Sequence, residues 1–265
     1  MPPSARRVYP LNIPGLGHPA ALRVHARPDR FISRAIAERG VWEPFETAVF
    51  LDLVRPGGVV VDVGANIGYY AVLAAQRAGP AGRVHAFEPE RANFRLLQAN
   101  LRLNACANAS ARRLAICDRA GTERLYRDAD NLGDHRLYPS PGAPRSSVPV
   151  PTAALDALFP AGTRLDVIKI DAQGAEYRIF RGMRGLLARR TAALRIITEV
   201  WPHGLAHAGS SHRALLALLA EQGLRPALID EAEARLTPVT YAALEGLLAG
   251  PWYAQGQGFV NLLLE

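Results

Sequence analysis

Residues Val59 to Tyr70, VVVDVGANIGYY, constrain this 265-residue chain more than any other stretch. Val59, Val60, Val61 and Val63 are β-branched and nearly uninterrupted, the pattern of a central parallel strand covered on both faces. Gly64 then allows a tight turn and lets backbone come close to a ligand, and Gly68, about one helical turn on, allows close packing where a helix begins. The start of that helix points N–H groups at whatever the turn holds. The stretch reads as a buried strand that delivers a binding turn.

The turn is G-A-N-I-G and not the G-x-G-x-x-G of dinucleotide sites, so the middle glycine that admits a pyrophosphate is missing. Asp62 stands two residues before the first glycine. A second strand, Arg83 to Phe87, ends in Glu88 and Pro89, about 20 residues past the turn, where a carboxylate takes both ribose hydroxyls. An acid in strand one, an open turn of Gly64, Ala65, Asn66, Gly68 and Tyr69, and an acid closing strand two suit an amino-acid-bearing nucleoside with Asp62 on its ammonium side. S-adenosyl-L-methionine (SAM) answers that description better than NAD.

Four segments, DVGANIGYY, AFEPERANFRLLQANLRLN, NLGDHRLY and IKIDAQGAEYRIFRGM, follow one another in this order. Together they resemble the FkbM-type family of SAM-dependent methyltransferases, over roughly Trp42 to the C-terminus. The resemblance implies an α/β fold of class I methyltransferase type, a Rossmann-like sandwich with a seven-stranded, mostly parallel sheet and helices on both faces. It implies a methyltransferase domain over residues 41–265 behind an N-terminal extension of residues 1–40. On the resemblance alone, the acceptor is a hydroxyl of a glycan, glycolipid or secondary metabolite. In this fold the adenine lies near the end of the third strand, so Asp118 or the neighbouring backbone reaches its amino group; a plain turn-capping aspartate is the alternative. Gln173 stands where the family more often has glutamate, IDAQGAE for IDVEGAE. That departure weakens a role as metal ligand or base and leaves hydrogen bonding to the cofactor open.

Composition bounds the rest. An apolar share of 49% is ample for one core, and one large α/β domain is favoured over two small ones. Two cysteines, Cys106 and Cys117, with no C-x-x-C, argue against a disulfide framework or a zinc site, and no other spacing signals a metal. No apolar run approaches the ~18 residues of a membrane span, and MPPSARRVYPL lacks the apolar core of a signal peptide, so a cytoplasmic protein is expected. A net charge of +7 suggests nucleic acid, but the single lysine, Lys169, stands against 30 arginines scattered over the whole chain. No N-P-P-Y or D-P-P-Y segment for base methylation is present. The expected partner is a small-molecule or glycan acceptor. An RNA or DNA methyltransferase, a non-catalytic SAM-binding module and an NAD oxidoreductase are the rivals, in that order.

In chain order, residues 1–20, with five prolines, read as an extended arm whose uses include a substrate-side lid, a homo-oligomer contact or packing. Ala21 to His25 suits a short strand, and Asp29 can cap a helix carrying Phe31, Ile32, Ala35 and Ile36. Pro44 suits a first helical turn, with Phe45, Val49 and Leu53 at helical spacing; Glu43 and Phe45 either cover the cofactor or simply start this helix. Helices follow over Ile67–Ala78 and Pro89–Leu103, and Ala111 to Cys117 reads as the third strand. Residues 121–163 read as a long irregular segment bordering the acceptor pocket. Asp166–Asp171 and Leu194–Val200 are the fourth and fifth strands. Ser210 or Ser211 caps a leucine-lined helix, and Pro226–Ile229 and Phe259–Leu264 complete a doubly wound sheet.

Methyl transfer from a sulfonium is an in-line displacement, so the protein must position two reactants and, for a hydroxyl acceptor, take or share its proton. Lys169, Asp171, His135, Glu199 and His203 fall at strand ends or in loops that can reach such a site. Lys169 and Asp171 are two apart on one strand and face one side, about 6 to 7 Å apart. A lysine is slim and burial can lower its pKa, which would allow proton transfer; alternatively Lys169 neutralises Asp62 or Asp171. Asp171 ends strand four beside strand one, at the ligand crevice of open α/β sheets. His135 is either the base or an acceptor contact, or a solvated loop histidine. Glu199 is an acceptor-pocket or helix-orienting carboxylate, and Trp201 and His203 are candidates for pocket lining.

Overall fold

The computed structural model describes residues 8–26, 29, 31–139, 145–256 and 258–265. Val59–Val63 lies inside an eight-stranded sheet whose order is Arg235–Pro238, Pro226–Asp230, Val260–Leu264, Arg195–Val200, Val167–Ile170, Val59–Val63, Arg83–Phe87 and Ala109–Arg112. Val59–Val63 runs parallel to both neighbours, and the chain builds first through Arg83–Phe87 on one side and later through Val167–Ile170 on the other, so the strand order reverses there. A reversal of this kind opens a crevice at the carboxyl ends of the strands. Val260–Leu264 is antiparallel to both of its partners. The seven strands of the expected sheet are all present. The eighth, Arg235–Pro238, is an edge addition that folds back antiparallel on Pro226–Asp230.

The valines alternate between two apolar layers. Val61 and Val63 pack with Phe87, Ile168, Ile170 and Phe180 on one face, while Val60 packs with Val72, Leu73, Leu97 and Val167 on the other. Each fully buried aliphatic or aromatic side chain contributes roughly 1.5–3 kcal/mol, so both faces of this strand hold it in register. The second face carries Tyr69–Ala78, whose small alanines let the helix lie close on the sheet. Asp62 pairs in register with Lys169.

Three expectations change. Ala111–Cys117 is not one strand: Ala109–Arg112 belongs to the main sheet, whereas Ala115–Ile116 pairs with Thr152 and Ala153 in a separate three-stranded sheet. Residues 121–163 are not irregular throughout, because Gly121–Arg127 and Ser146–Ala153 form an antiparallel ladder. Pro149 and Pro151 sit two apart in that strand and so share one side of it, and among the described residues Ala115–Ile116 covers only its Thr152–Ala153 end. Proline lacks the ladder N–H and is tolerated where a strand side is open. Residues 140–144 of this proline-rich stretch lie outside the described residues.

Nor do residues 8–20 form an extended arm; residues 1–7 lie outside the described residues. Val8–Pro10 pairs antiparallel with Ala21–Arg23. Asn100 on the Arg91–Leu103 helix and Asn104 at its C-cap then accept the Arg23 and Ala21 N–H groups at 2.7 and 2.9 Å. Asp29 accepts the Ser33 N–H at 2.8 Å and so caps Ile32–Arg39, and Ser211 caps His212–Glu221 through the Ala214 N–H. Both cysteines are buried and free. Among the described residues no helix is long and apolar enough to cross a membrane.

Candidate functional site

The turn after Val59–Val63 is held by its own backbone. Gly64 has φ +81, and a Cβ there would stand 1.8 Å from the Asp171 carbonyl oxygen, so only glycine fits. Gly64 and Ala65 both donate to the Phe87 carbonyl at 3.0 Å. Asn66, also left-handed at φ +48, donates its N–H to Glu88 Oε2 at 2.9 Å, and Glu88 Oε1 accepts the Glu90 N–H at 2.7 Å. Glu88 is thus fixed between the turn and the helix that follows.

These residues open on a cavity of about 460 Å³, within the roughly 300–1,000 Å³ of small-molecule sites. Asp62, Gly64, Ala65, Asn66, Glu88 and Pro89 line one side of it. Lys169, Asp171, Gln173 and Glu199 line the strand ends, and His135 and Arg136 come over from the loop. Leu114, Ile116 and Leu125 give an apolar wall beside Pro89. Trp42 and Glu43 close another side, with Phe31 and Phe259, each 50% exposed, at the rim.

Three expected cofactor contacts fall outside this cavity. Gly68 turns the other way: a Cβ there would meet Leu97 Cδ1 at 2.7 Å, so this glycine serves helix-on-helix packing. Tyr69 points its hydroxyl at Thr47 Oγ1, 3.0 Å away, and accepts the Trp42 N–H at 3.3 Å, which fastens the Trp42 segment to the helix. Asp118 follows the break in the third strand and is drawn into an ion-pair network, with Arg178 donating to it at 2.9 Å and to Glu123 at 2.7 Å. His203 also stays off the cavity, its ring 4.1 Å from that of His207, whereas Trp201 lines it under the stacked Arg136 guanidinium at 4.6 Å.

The electrostatics separate the remaining candidates. Burial alone would lower the Lys169 pKa, but the Glu46, Asp171 and Glu43 carboxylates outweigh it and hold the group as an ammonium above the ordinary lysine range. Its ion pair is with Glu46, at 2.9 Å, and not with Asp62 or Asp171. Burial pushes Asp62 up to about 7, Lys169 opposing, and pushes Glu88 up to about 8 against its two N–H donors. Glu43 rises to about 8 through burial and the neighbouring Glu46. Glu199 rises well above the ordinary range through burial and then Asp171, Glu176 and Glu43.

His135 is lowered by burial, against the nearby Glu90 and Asp134. Its Nδ1 accepts the Asp128 N–H at 3.2 Å. A backbone N–H can only donate, so the neutral ring carries its hydrogen on Nε2 and offers a donor, not a base. The loop itself is pinned by paired Tyr126 and Arg136 backbone bonds of 2.8 and 3.0 Å.

Glu46, Tyr70 and Glu231 were not among the sequence candidates. Glu46 is fully buried, and Tyr70 donates to its Oε1 at 2.9 Å. Glu231, in the turn between Pro226–Asp230 and the edge strand Arg235–Pro238, accepts the Phe45 and Glu46 N–H groups at 3.0 Å each and caps the Pro44–Leu53 helix. The acids of W-E-P-F-E were the only local signal for Glu46; for Glu231 there was none.

The donor set fits a nucleoside with an amino-acid arm. Asp62 is 2% exposed, borders the cavity and leaves Oδ2 without a hydrogen-bond partner, a cost of about 1–3 kcal/mol unless a ligand donor meets it. Glu88 sits across the turn with lone pairs to spare for hydroxyls. Among the described residues no three His, Cys, Asp or Glu side chains converge as a metal-ligand set.

The sequence profile of the methyltransferase FkbM domain matches residues 62–226. An 81-residue segment is 46% identical to the 31-O-demethyl-FK506 methyltransferase FkbM of Streptomyces tacrolimicus and covers 29% of each chain. A 155-residue segment is 27% identical to the methyltransferase sdnD of Sordaria araneosa, over 47% of this chain and 60% of that one. The chain therefore spans less than two thirds of either relative. A crystal structure of a methyltransferase FkbM from Methylobacillus flagellatus KT superposes with a TM-score of 0.46 at 14% identity, over 83% of this chain and 50% of that one.

Proposed function

The chain belongs to the FkbM family of SAM-dependent methyltransferases, and from that premise we propose that it methylates a hydroxyl of a glycan, glycolipid or secondary metabolite. The observation that carries this reading is the shared cavity, which Asp62 and Glu88 border on the turn side and Asp171 and Glu199 on the strand-end side. When bound, SAM supplies an activated methyl group on a sulfonium.

Glu88 would take the ribose hydroxyls, Asp62 Oδ2 the ammonium, and the Leu114, Ile116 and Leu125 wall the flat base. Asp171 is the group assigned to the acceptor proton. One of its oxygens is held by Gln173 and the other takes no hydrogen bond from the described residues. Lys169 is committed to Glu46 as a cation, which suits it to balancing carboxylates and not to removing a proton. His135, with its hydrogen on Nε2, orients a ligand oxygen by donating to it. Glu199, driven toward its neutral form, is likewise a donor. Positioning and one proton acceptor suffice for an in-line displacement.

The wall also argues for hydroxyl compounds over RNA. Glu43, Asp171 and Glu199 all border the cavity, and its lysine is already paired with Glu46, a lining that suits a neutral hydroxyl compound better than a phosphodiester. The 31-O-demethyl-FK506 methyltransferase, by its name, acts on an O-demethyl compound, which agrees with a hydroxyl acceptor.

Isothermal titration of the purified protein with SAM, alongside NAD and a short RNA, tests the reading. Binding of SAM alone, followed by methyl uptake from labelled SAM into a panel of glycan and metabolite hydroxyls, is expected. A folded, cofactor-free sample that ignores SAM would overturn it.

A further inference from the structure

Asp171 ends the strand beside Val59–Val63, and Gln173 two residues later turns back on it. The Gln173 amide nitrogen donates to Asp171 Oδ1 at 2.7 Å. The geometry that allows this is unusual: Gln173 is left-handed at φ +50, and Gly174 follows at φ +100, where a Cβ would strike the Gly204 carbonyl oxygen at 2.6 Å. Bulky residues rarely hold such a conformation, and where one does beside a cavity the strain marks a site. Two of the other left-handed non-glycine residues, Glu43 and Asn66, border the same cavity.

We infer that Gln173 is the positioning residue of this site: its amide fixes Asp171 Oδ1 and leaves Oδ2 as the oxygen that meets the acceptor hydroxyl. The inference rests on the methyltransferase reading above and adds to it a residue that orients the proton acceptor.

The chemistry of the amide is what matters. Its nitrogen can only donate, and it has no proton to exchange near neutral pH. Asp171 is faced by carboxylates from every element packed around it: Glu43 ahead of the Pro44–Leu53 helix, Asp62 on the central strand, Glu176 on the next helix and Glu199 on the following strand. Lys169, on its own strand, is the cation among them, and its ion pair goes to Glu46. A neutral donor at hydrogen-bond distance holds one carboxylate oxygen in place without adding charge to this crowded site. Glutamate at the same place would set oxygen against oxygen, and two carboxylates that close share one proton.

The test counts protons. Calorimetry of SAM binding near pH 7, repeated in two buffers of different ionisation heat, gives the number of protons released as the cationic ligand enters. Gln173→Glu is expected to release about half a proton or more beyond the wild-type value, because the shared proton is expelled. The double variant Q173E/D171N should return to the wild-type count, since there is no longer a pair to share it. Gln173→Met, uncharged and of similar length but with no donor for Asp171 Oδ1, should keep SAM affinity within about threefold and lower kcat for the acceptor by at least about tenfold, and an unchanged kcat overturns the inference.

An unchanged count in Q173E overturns the inference. So does a folded Q173M that no longer binds SAM, because Gln173 would then be a cofactor contact in its own right. Failure of the folded wild-type protein to bind SAM overturns the methyltransferase reading underneath and this inference with it, and is told apart by occurring before any variant is made.

Discussion

Lys169 sets its Nζ 2.9 Å from Glu46 Oε1 and 4.5 Å over the ring of Tyr70, whose hydroxyl donates to the same Glu46 oxygen at 2.9 Å. Lysine and glutamate are 4% and 0% exposed, so this pair joins the Pro44–Leu53 helix to the sheet through a dry contact. Breaking one side of such a pair costs about 3–5 kcal/mol, while replacing both with apolar groups is often neutral. Lys169→Met is therefore expected to lose about 3–5 kcal/mol in urea unfolding, and K169M/E46L to regain most of it. A K169M protein as stable as wild type would show that the pair does not hold the helix.

Glu231 makes a longer-range version of the same attachment. Its carboxylate caps the Pro44–Leu53 helix from the edge hairpin, with both N–H contacts at 3.0 Å. Glu231→Ala should cost about 1 kcal/mol, in the range for lost caps. Because Glu43 sits at the capped end and borders the cavity, hydrogen exchange of the Phe45 and Glu46 amides should rise more than that of the sheet. Uniform exchange changes would argue that the cap is ornamental to the site.

The parts legible in the sequence are those set by local pattern. Continuous valines, a φ-demanding glycine and a strand-ending acid marked the turn and Glu88, since each needs only its neighbours. Lys169 stood out as the single lysine, but its partner did not, because an ion pair between residues 46 and 169 leaves no periodic trace. Glu231 lies further still from the helix it caps. That Gly68 and Tyr69 turn away from the cavity was not legible, because a helix start offers two faces and only the Leu97 and Thr47 contacts decide which one meets the cavity. The Ser146–Ala153 strand was hidden by its prolines, which signal a loop except where one side of a strand lies open.

The buried acids predict how stability varies with pH in the ligand-free protein. Asp62 and Glu176 are raised by burial to about 7, and Glu43 and Glu88 to about 8, from ordinary values of 3.8 for aspartate and 4.5 for glutamate. The folded state therefore binds more protons than the unfolded chain between about pH 4 and 8, and stability falls as pH rises through that window. Each full proton of difference changes stability by about 1.4 kcal/mol per pH unit. The melting temperature should be highest near pH 4, fall steeply toward pH 8 and then level off. A melting temperature that climbs from pH 5 to 8 would contradict the burial of these groups.

Asp62 and Glu88 should matter differently to SAM. Asp62 brings an oxygen with no protein partner, so Asp62→Asn should bind SAM at least about tenfold more weakly, yet fold as well as wild type or better, having lost a buried acid. Glu88 also ties Asn66 to Glu90, so Glu88→Ala should lose SAM binding and in addition loosen the turn, visible as lower thermal stability. Calorimetry on both variants checks this, and wild-type affinity in both would remove the cofactor assignment.

The acceptor's charge follows from the cavity wall. A phosphate oxygen about 4 Å from a carboxylate meets roughly 4 kcal/mol of repulsion at an effective dielectric near 20, and Asp171 borders the cavity beside Glu43 and Glu199, which burial pushes toward their neutral forms. The cavity's lysine is already paired with Glu46, so it does little to offset such repulsion. A neutral hydroxyl compound escapes that penalty, and its phosphorylated derivative should be methylated at least about 100-fold less efficiently, the equivalent of about 2.7 kcal/mol. The overall charge of +7 still allows weak contact with RNA, but contact through scattered arginines does not bring a base or ribose into the cavity. RNA affinity measured between about 50 and 200 mM salt should accordingly show a slope worth few phosphates, with no methyl uptake. Methyl transfer into RNA with a steep salt dependence would mean that these acids do not face the acceptor.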